Sequence, residues 1–305
     1  MRIGSRRSAL ALVQAHLVAE QLSAAGHGDW EIVPMTTSGD RGAREGDKAR
    51  WVIELEDALL RSEIDLAVHS AKDLPGELPD GLALLGAPAR ASPGDVLCGA
   101  STLGELEPGA RIGTSSIRRM AQLRAAREDL DVVAMRGNVD TRLEKLTDGS
   151  SGLRAIVLAR AGLERLGREG DIGGELDPRT FVPAPGQGAL ALEGRADADA
   201  TRLAVAAITD PSALACLLAE RALAATLDAS CNTPLGALAT PIDAEQLRLS
   251  AWVGLPDGSA WALDELTGPT GAPEALGAEL AARLTAAGAG EMLRRAEEMA
   301  GVASA

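Results

Sequence analysis

Asp73 follows Lys72 and precedes Leu74-Pro75, directly after the apolar run Ile64-Asp65-Leu66-Ala67-Val68. A carboxylate at the end of a buried strand, beside an ammonium, suits stabilising a cation or handling a proton. On spacing alone it serves equally well as a turn residue before Pro75. Lysine is scarce: only Lys48, Lys72 and Lys145 accompany 27 arginines, so Lys72 marks a place for a compact ammonium. Cys231 lies in Leu227-Asp228-Ala229-Ser230-Cys231-Asn232-Thr233-Pro234-Leu235-Gly236, a small-residue loop closing a helix. An exposed thiol in such a loop is a candidate nucleophile. Cys98 and Cys216 have apolar neighbours and read as inert.

The arginines are unevenly spread. Residues 111–168 carry a local net charge of +5 in a chain of net −14, which leaves −19 elsewhere. Two strand-to-helix junctions hold most of the interest: Gly113-Thr114-Ser115-Ser116-Ile117-Arg118-Arg119 and Met135-Arg136-Gly137-Asn138-Val139-Asp140-Thr141-Arg142. There, helix N-terminal amides, hydroxyls and guanidiniums can converge on an anion. Arg118, Arg119, Arg136 and Arg142 are therefore candidate ligand contacts, while Arg124 and Arg127 read as a solvated helix face. The ligand implied carries several carboxylates or phosphates.

Regular elements must hold these groups. Ser8 caps an amphipathic helix running to Ala25, stopped by Gly26. Strand-like segments Arg2-Ile3-Gly4, Glu31-Ile32-Val33-Pro34-Met35 and Ile64 to Val68 alternate with helices, and the alternation restarts at Arg111. The spacing predicts helices from about Ser116, from about Val139 and from Ala161 to Leu166, with strands Asp131 to Met135 and Ala155 to Ala159. Two such blocks make two α/β domains with mostly parallel sheets. The Pro/Gly-rich Val182-Pro183-Ala184-Pro185-Gly186-Gln187-Gly188 reads as a crossing between them. After about Asp210 a helix to Leu227, a turn at Pro256-Asp257-Gly258-Ser259 between strands and a helix over Pro273 to Ala287 make a smaller α+β domain, with a short frayed tail after Met299. The expected division is 1–88 with 189–206, 89–188, and 207–305.

At 305 residues, 46% of them apolar, the chain is long enough for several cores without disulfide or metal staples. Only five residues are aromatic, too few for a base-stacking nucleic-acid surface, and the acidic balance opposes nucleic acid and anionic membrane. Three cysteines without C-x-x-C spacing, and His16, His27 and His69 without ligand spacing, give no disulfide framework and no metal site. The N-terminus lacks a signal peptide's apolar core, and no run reaches the roughly 18–20 apolar residues of a membrane span. A cytoplasmic protein without a structural metal is expected.

Taken together these motifs resemble the porphobilinogen deaminase (hydroxymethylbilane synthase) family over nearly the whole chain. The matching segments are Arg6-Arg7-Ser8-Ala9-Leu10-Ala11, Thr37-Ser38-Gly39-Asp40, Val68-His69-Ser70-Ala71-Lys72-Asp73, Gly113 to Ser116 with Arg118-Arg119, and Arg136 to Val139 with Thr141-Arg142. Ala161-Gly162-Leu163 with Arg165, Pro185 to Gly188, and Cys231 with Pro234-Leu235-Gly236 complete the series in order. The resemblance implies two lobes like those of type II periplasmic binding proteins plus a smaller α+β C-terminal domain, acting as a monomer. It implies a dipyrromethane cofactor joined by a thioether to Cys231, on which four porphobilinogens condense head to tail with loss of ammonia before water releases the linear tetrapyrrole. By motif position Asp73 is catalytic. Lys72, Ser70, Thr114, Ser115, Ser116, Arg118, Arg119, Arg136 and Asn138 hold the cofactor, and Arg6, Ser8, Arg142, Arg165, Gln187 and Lys48 hold substrate.

That chemistry agrees with the residues. Acetate and propionate side chains accumulate along a growing pyrrole chain, and an arginine-lined cleft neutralises them. Deamination leaves a cationic azafulvene that a carboxylate stabilises, and a thioether needs a nucleophilic sulfur. The chain departs from the family at Gly46-Asp47-Lys48-Ala49-Arg50-Trp51, where a Gly-rich, Lys-containing lid ending in Gly-Leu-Phe is usual, and Ser8-Ala9-Leu10 lacks a common proline. A non-catalytic binding protein for an anionic metabolite would explain the arginines and the topology, but gives Cys231 and the third domain no task. A homologue that carries the cofactor but turns over little is a further alternative, raised by the altered lid. Cys231→Ser is expected largely to prevent stable cofactor attachment, read as loss of most of the adduct from the intact mass. Full retention of the adduct would refute the assignment of this cysteine.

Overall fold

In the computed structural model the described residues are 1–37, 52–229 and 233–303. Lys48, with the rest of residues 46–51, and Cys231 lie outside them. The first sheet takes β1 (Arg2–Arg6), β2 (Glu31–Met35), β3 (Leu66–Ser70), β4 (Leu82–Gly86) and β10 (Leu190–Arg195) in the order β2-β1-β3-β10-β4. The second takes β5 (Asp95–Cys98), β6 (Arg111–Thr114), β7 (Asp131–Ala134), β8 (Ala155–Ala159) and β9 (Gly174–Glu175) in the order β7-β6-β8-β5-β9. The two orders are the same plan. In each, four strands point the same way and one, fourth in the order, runs antiparallel to both its neighbours: β10 between β3 and β4, β5 between β8 and β9. The expectation of mostly parallel sheets holds, with one reversed strand in each five.

Each returning strand is the first strand laid down after the chain crosses over. The first crossing leads from β4 to β5 and the second from β9 to β10. They touch where Ala91 N–H donates to Gly188 C=O at 3.3 Å. Gly186 and Gly188 both have positive φ, +73° and +85°, and a Cβ on Gly188 would stand 2.4 Å from the Ala91 carbonyl oxygen. Glycine is required at Gly188 by conformation and by space.

The helices start where the sequence offers caps. Ser8 accepts from Ala11 N–H ahead of α1 (Ala9–Ala24), and Ser116 from Arg119 N–H ahead of α3 (Ile117–Ala126). Asn138 accepts from Thr141 N–H ahead of α4 (Val139–Thr147), and Asp210 from Ala213 N–H ahead of α7 (Pro211–Thr226), whose first residue is proline. Each satisfies an amide that has no partner within its helix. The shorter helices are α2 (Ile53–Leu60), α5 (Arg160–Arg165) and α6 (Asp199–Ala206). No single helix among the described residues is long and apolar enough to cross a membrane.

The third sheet is an antiparallel meander of β11 (Leu235–Pro241), β12 (Gln246–Gly254) and β13 (Trp261–Pro269). Leu247, Leu249 and Ala251 alternate inward on β12 and meet Leu223 of α7 and Leu276 and Leu280 of α8 (Pro273–Ala286) in one core. The tail expected after Met299 is instead helical as far as Ala303, in α9 (Ala289–Ala303). Gly288, at φ +95°, breaks the chain away from α8, and Leu293 and Ala296 are buried beneath α9. That apolar spacing sustains the helix past its polar outer face. Glu220 of α7 binds this domain to both crossings. Its carboxylate accepts from Arg90 at 2.6 and 3.1 Å, from Gly186 N–H at 2.6 Å and from Ala239 N–H at 2.7 Å.

Candidate active site

A cleft of about 800 Å3 is lined from all three domains. On one wall Ala71–Asp73 form a single tight turn after β3, which carries Lys72 and Asp73 out of the sheet and into the cleft. Burial, and next the Arg119 charge, push the Lys72 ammonium down to about 8, against the pull of Asp73 and Asp95. Arg221 of α7 ties the following residues down, donating to the carbonyls of Pro75 and Gly76 at 2.8 Å each.

Facing them, Ser115, Ser116 and Ile117 bring the start of α3 to the cleft. Amides of a helix's first turn lack intrahelical acceptors and carry the positive end of its dipole, so this edge favours a carboxylate. Arg142 of α4 lines the same space.

Arg118 and Arg119 line the cleft as well, yet their guanidiniums are held from behind. Asp95, 1% exposed, accepts from Arg118 at 2.8 Å, from Arg119 at 3.0 and 2.7 Å, and from Gln187 at 2.8 Å. Arg118 also donates to Val182 C=O at 2.7 Å, Arg119 to Val157 C=O at 2.9 Å. Burial alone would raise the Asp95 carboxyl, but the two guanidinium charges and the Gln187 hydrogen bond overcome it and hold it at about 2. The one phenylalanine of the chain, Phe181, lies under Arg118, with its ring centroid 5.8 Å from the guanidinium carbon. Arg118 Nε is buried with no hydrogen-bond partner. Two cations share one buried anion here, so a net positive charge faces the cleft.

Of the residues expected from sequence, the cleft brings together Lys72, Asp73, Ser115, Ser116, Arg118, Arg119, Arg142 and Gln187. Arg6, Ser8, Ser70, Thr114, Arg136, Asn138 and Arg165 are not among the described residues that line it. Several of them already serve the chain itself. Ser8 and Asn138 cap helices, Ser70 pairs with Gln14 at 2.9 Å, and Thr114 Oγ1 accepts from Ser116 N–H at 3.2 Å. Arg165 donates to Gly188 C=O at 2.8 Å. Arg136 is exposed, and its carbonyl accepts from Lys145 at 2.8 Å. Lys48 and Cys231 lie outside the described residues; Ala229 and Thr233, on either side of Cys231, both line the cleft.

Two readings change. Arg124 is not a solvated face residue: it donates to Pro256 C=O at 2.9 Å and ties the second domain to the third. Nor is Arg127, which pairs with Asp129 and caps the carbonyls of Leu103 and Leu106. Two residues absent from the sequence expectations serve the cleft: Arg221 lines it, and Asp95 lies buried behind its wall. The inert reading of Cys98 and Cys216 holds, since both are buried and burial pushes each thiol up to about 11.

The donor set suits a ligand with several carboxylates: Lys72, Arg142, Arg221 and two serines around a helix N-terminus, with the Arg118–Arg119 charge behind them. Among known proteins, residues 1–203 match the family model described as porphobilinogen deaminase, dipyromethane cofactor binding domain, and residues 214–286 match porphobilinogen deaminase, C-terminal domain. The porphobilinogen deaminase of Brevibacillus brevis is 42% identical over 96% of this chain and 96% of its own. That of Thermus thermophilus is 44% identical over 95% of this chain and 97% of its own. A periplasmic substrate-binding protein of an ABC transporter from Coxiella burnetii has a TM-score of 0.42 at 13% identity, covering 70% of this chain and 94% of that one.

Asp95→Asn strands two buried guanidiniums, so the unfolding free energy at neutral pH is expected to fall by about 3–5 kcal/mol. The Asp95 carboxyl is lower in the folded chain than in the unfolded one. Its stabilisation is therefore present above about pH 4 and lost as pH falls towards about 2. Denaturant titrations of wild type and variant should converge over that range, and equal stability at neutral pH would contradict the role given to Asp95.

Proposed function

The chain belongs to the porphobilinogen deaminase family, and we propose that the cleft between its three domains is where it acts as hydroxymethylbilane synthase in tetrapyrrole biosynthesis. Four porphobilinogens condense head to tail, each losing ammonia, and water releases the linear product. The observation that carries this assignment is the meeting of Asp73 and Lys72 with the start of α3 across one cleft that also takes in both flanks of Cys231.

The residues fit a dipyrromethane with its four acidic side chains. Cys231 would hold it covalently, and Lys72, Ser115, Ser116 and Arg142 would take its carboxylates, with Arg118 and Arg119 supplying charge from beneath. When bound, this group supplies the pyrrole terminus on which the product is extended. Asp73 faces the cleft from a turn tied down by Arg221, so its charge is in place before substrate arrives. As ammonia leaves porphobilinogen, the Asp73 carboxylate stabilises the positive charge that develops on the ring, a preorganised electrostatic role. Lys72, still mostly an ammonium at neutral pH with its value near 8, neutralises a carboxylate and keeps it from competing for that cation. Arg6, Ser8, Arg136, Arg142, Arg165 and Gln187 are proposed substrate or cofactor contacts in the working enzyme, a role supported by the match of their motifs, and Lys48 is proposed with them as a basic residue kept in an otherwise altered segment.

The working division into 1–88 with 189–206, 89–188 and 207–305 is supported by the residue content of the three sheets. A cytoplasmic location is supported by two buried free thiols, and avoidance of nucleic acid and membrane by the net charge of −14.

Incubation with porphobilinogen should release ammonia and yield hydroxymethylbilane, and a chain that binds porphobilinogen without turnover would be a binding protein instead. Asp73→Asn is expected to keep the fold, by circular dichroism, while kcat drops roughly 10²–10³-fold. Near-normal turnover in that variant would exclude the role given to Asp73.

A further inference from the structure

Below the Lys72–Asp73 turn, a second set of ionisable groups lies in the core of the first domain. Glu56 of α2, His69 of β3 and Glu193 of β10 are 6%, 5% and 0% exposed. His69 Nε2 is 2.8 Å from Glu193 Oε2, and because an ionised carboxylate only accepts, the ring is the donor. Glu193 Oε1 and Glu56 Oε1 are both buried without a hydrogen-bond partner. Two orphaned carboxylate oxygens in one apolar region break the rule that buried acceptors are paired, and two bare charges there would repel. A proton on Glu56 removes the second charge.

Burial first, and the Glu193 charge next, push the Glu56 carboxyl up to about 7, with Asp57 adding to the rise and His69 opposing it. The groups facing the cluster can be named element by element. Glu56 and Asp57 come from α2, His69 from β3, Glu193 from β10, and Arg221 from α7, where the Glu193 charge works against the burial that lowers Arg221. β4, also packed on α2, is Leu-Ala-Leu-Leu-Gly and adds no charge.

The chain is fixed on both sides of the catalytic turn, and the cluster lies on the side that enters it. His69 stands opposite Ala191 of β10, and Ala71 N–H donates to Ala189 C=O at 3.0 Å, which fixes the chain entering Lys72 and Asp73. Arg221 fixes the chain leaving them through the carbonyls of Pro75 and Gly76. We propose that Glu56, when neutral, is a positioning residue: its proton leaves Glu193 as the one anion bonded to His69, and through His69 it steadies the chain entering the Asp73 turn. Loss of that proton places a second anion beside Glu193, which competes for His69 and loosens the turn. Turnover then declines on the alkaline side of neutrality. The consequence for turnover rests on the assignment of Asp73 as catalytic; the protonation state does not.

The test has a spectroscopic arm and a kinetic arm, both on the full chain. Infrared difference spectra should show a protonated-carboxyl band near pH 6 that is gone near pH 9 and absent at both in Glu56→Gln. In Glu193→Gln the same band should disappear about 1 pH unit lower or more. A wild-type spectrum without the band near pH 6, or a midpoint unmoved in Glu193→Gln, would overturn the proposal. In the kinetic arm, Glu56→Gln, which fixes the neutral form, should move the midpoint of the alkaline decline of kcat from about pH 7 up towards about 8, where Lys72 loses its ammonium. Superimposable profiles of wild type and Glu56→Gln would overturn the positioning role even if the band is present. Absence of turnover in the wild type would instead count against the assigned activity, leaving the infrared result to decide the proton.

Discussion

Asp95 is the charge on which the cleft depends. Arg118 and Arg119 are consecutive, both are nearly inaccessible, and each would be expelled from such a place without a counter-charge. One carboxylate, itself wholly enclosed, accepts from both and from Gln187 of the second crossing. A single anion thereby joins the first strand after one crossing, the first turn of α3 and the last residues of the other crossing. The site gains a positive face whose guanidiniums cannot swing away, which preorganises it for an anionic ligand more than it stabilises the fold.

The position of Asp95 also shows why the sequence did not yield it. Ligand groups in open α/β sheets are sought at the carboxyl ends of strands, and Thr114, Ser115 and Asp73 were found there. Asp95 opens its strand. Because β5 returns antiparallel beside β8, with Asp95 opposite Ala159, its amino end lies at the edge where the parallel strands end. Antiparallel return of a strand after a crossing is a long-range fact, and no local pattern in Ser92-Pro93-Gly94-Asp95 announces it. The same holds for Arg221 and Glu220, which lie in an Ala/Leu-rich helix and acquire their tasks only when α7 packs across both crossings.

What was local was legible. Ser8, Ser116, Asn138 and Asp210 announce their helices because a short polar side chain before an apolar run satisfies the first free amides. The Pro-Gly-Gln-Gly crossing was legible for a similar reason, since only glycine takes the backbone required at Gly188. Arg124 and Arg127 were misjudged because the carbonyls they cap belong to residues 8 to 132 positions away. Ser70, Thr114 and Asn138 carry the family's motif, yet their polar atoms bind the chain's own groups. A motif can mark the frame of a site as readily as its contacts.

The central claim is that this cleft is built to carry a multiply acidic pyrrole primer on Cys231, between a cation-stabilising carboxylate and a wall of fixed positive charge. Its most direct test is the intact mass of the native chain, with any adduct mapped to its peptide. The account predicts a mass above that of the bare sequence by one dipyrromethane, carried on the peptide containing Cys231. A bare chain that gains no adduct when incubated with porphobilinogen would contradict it.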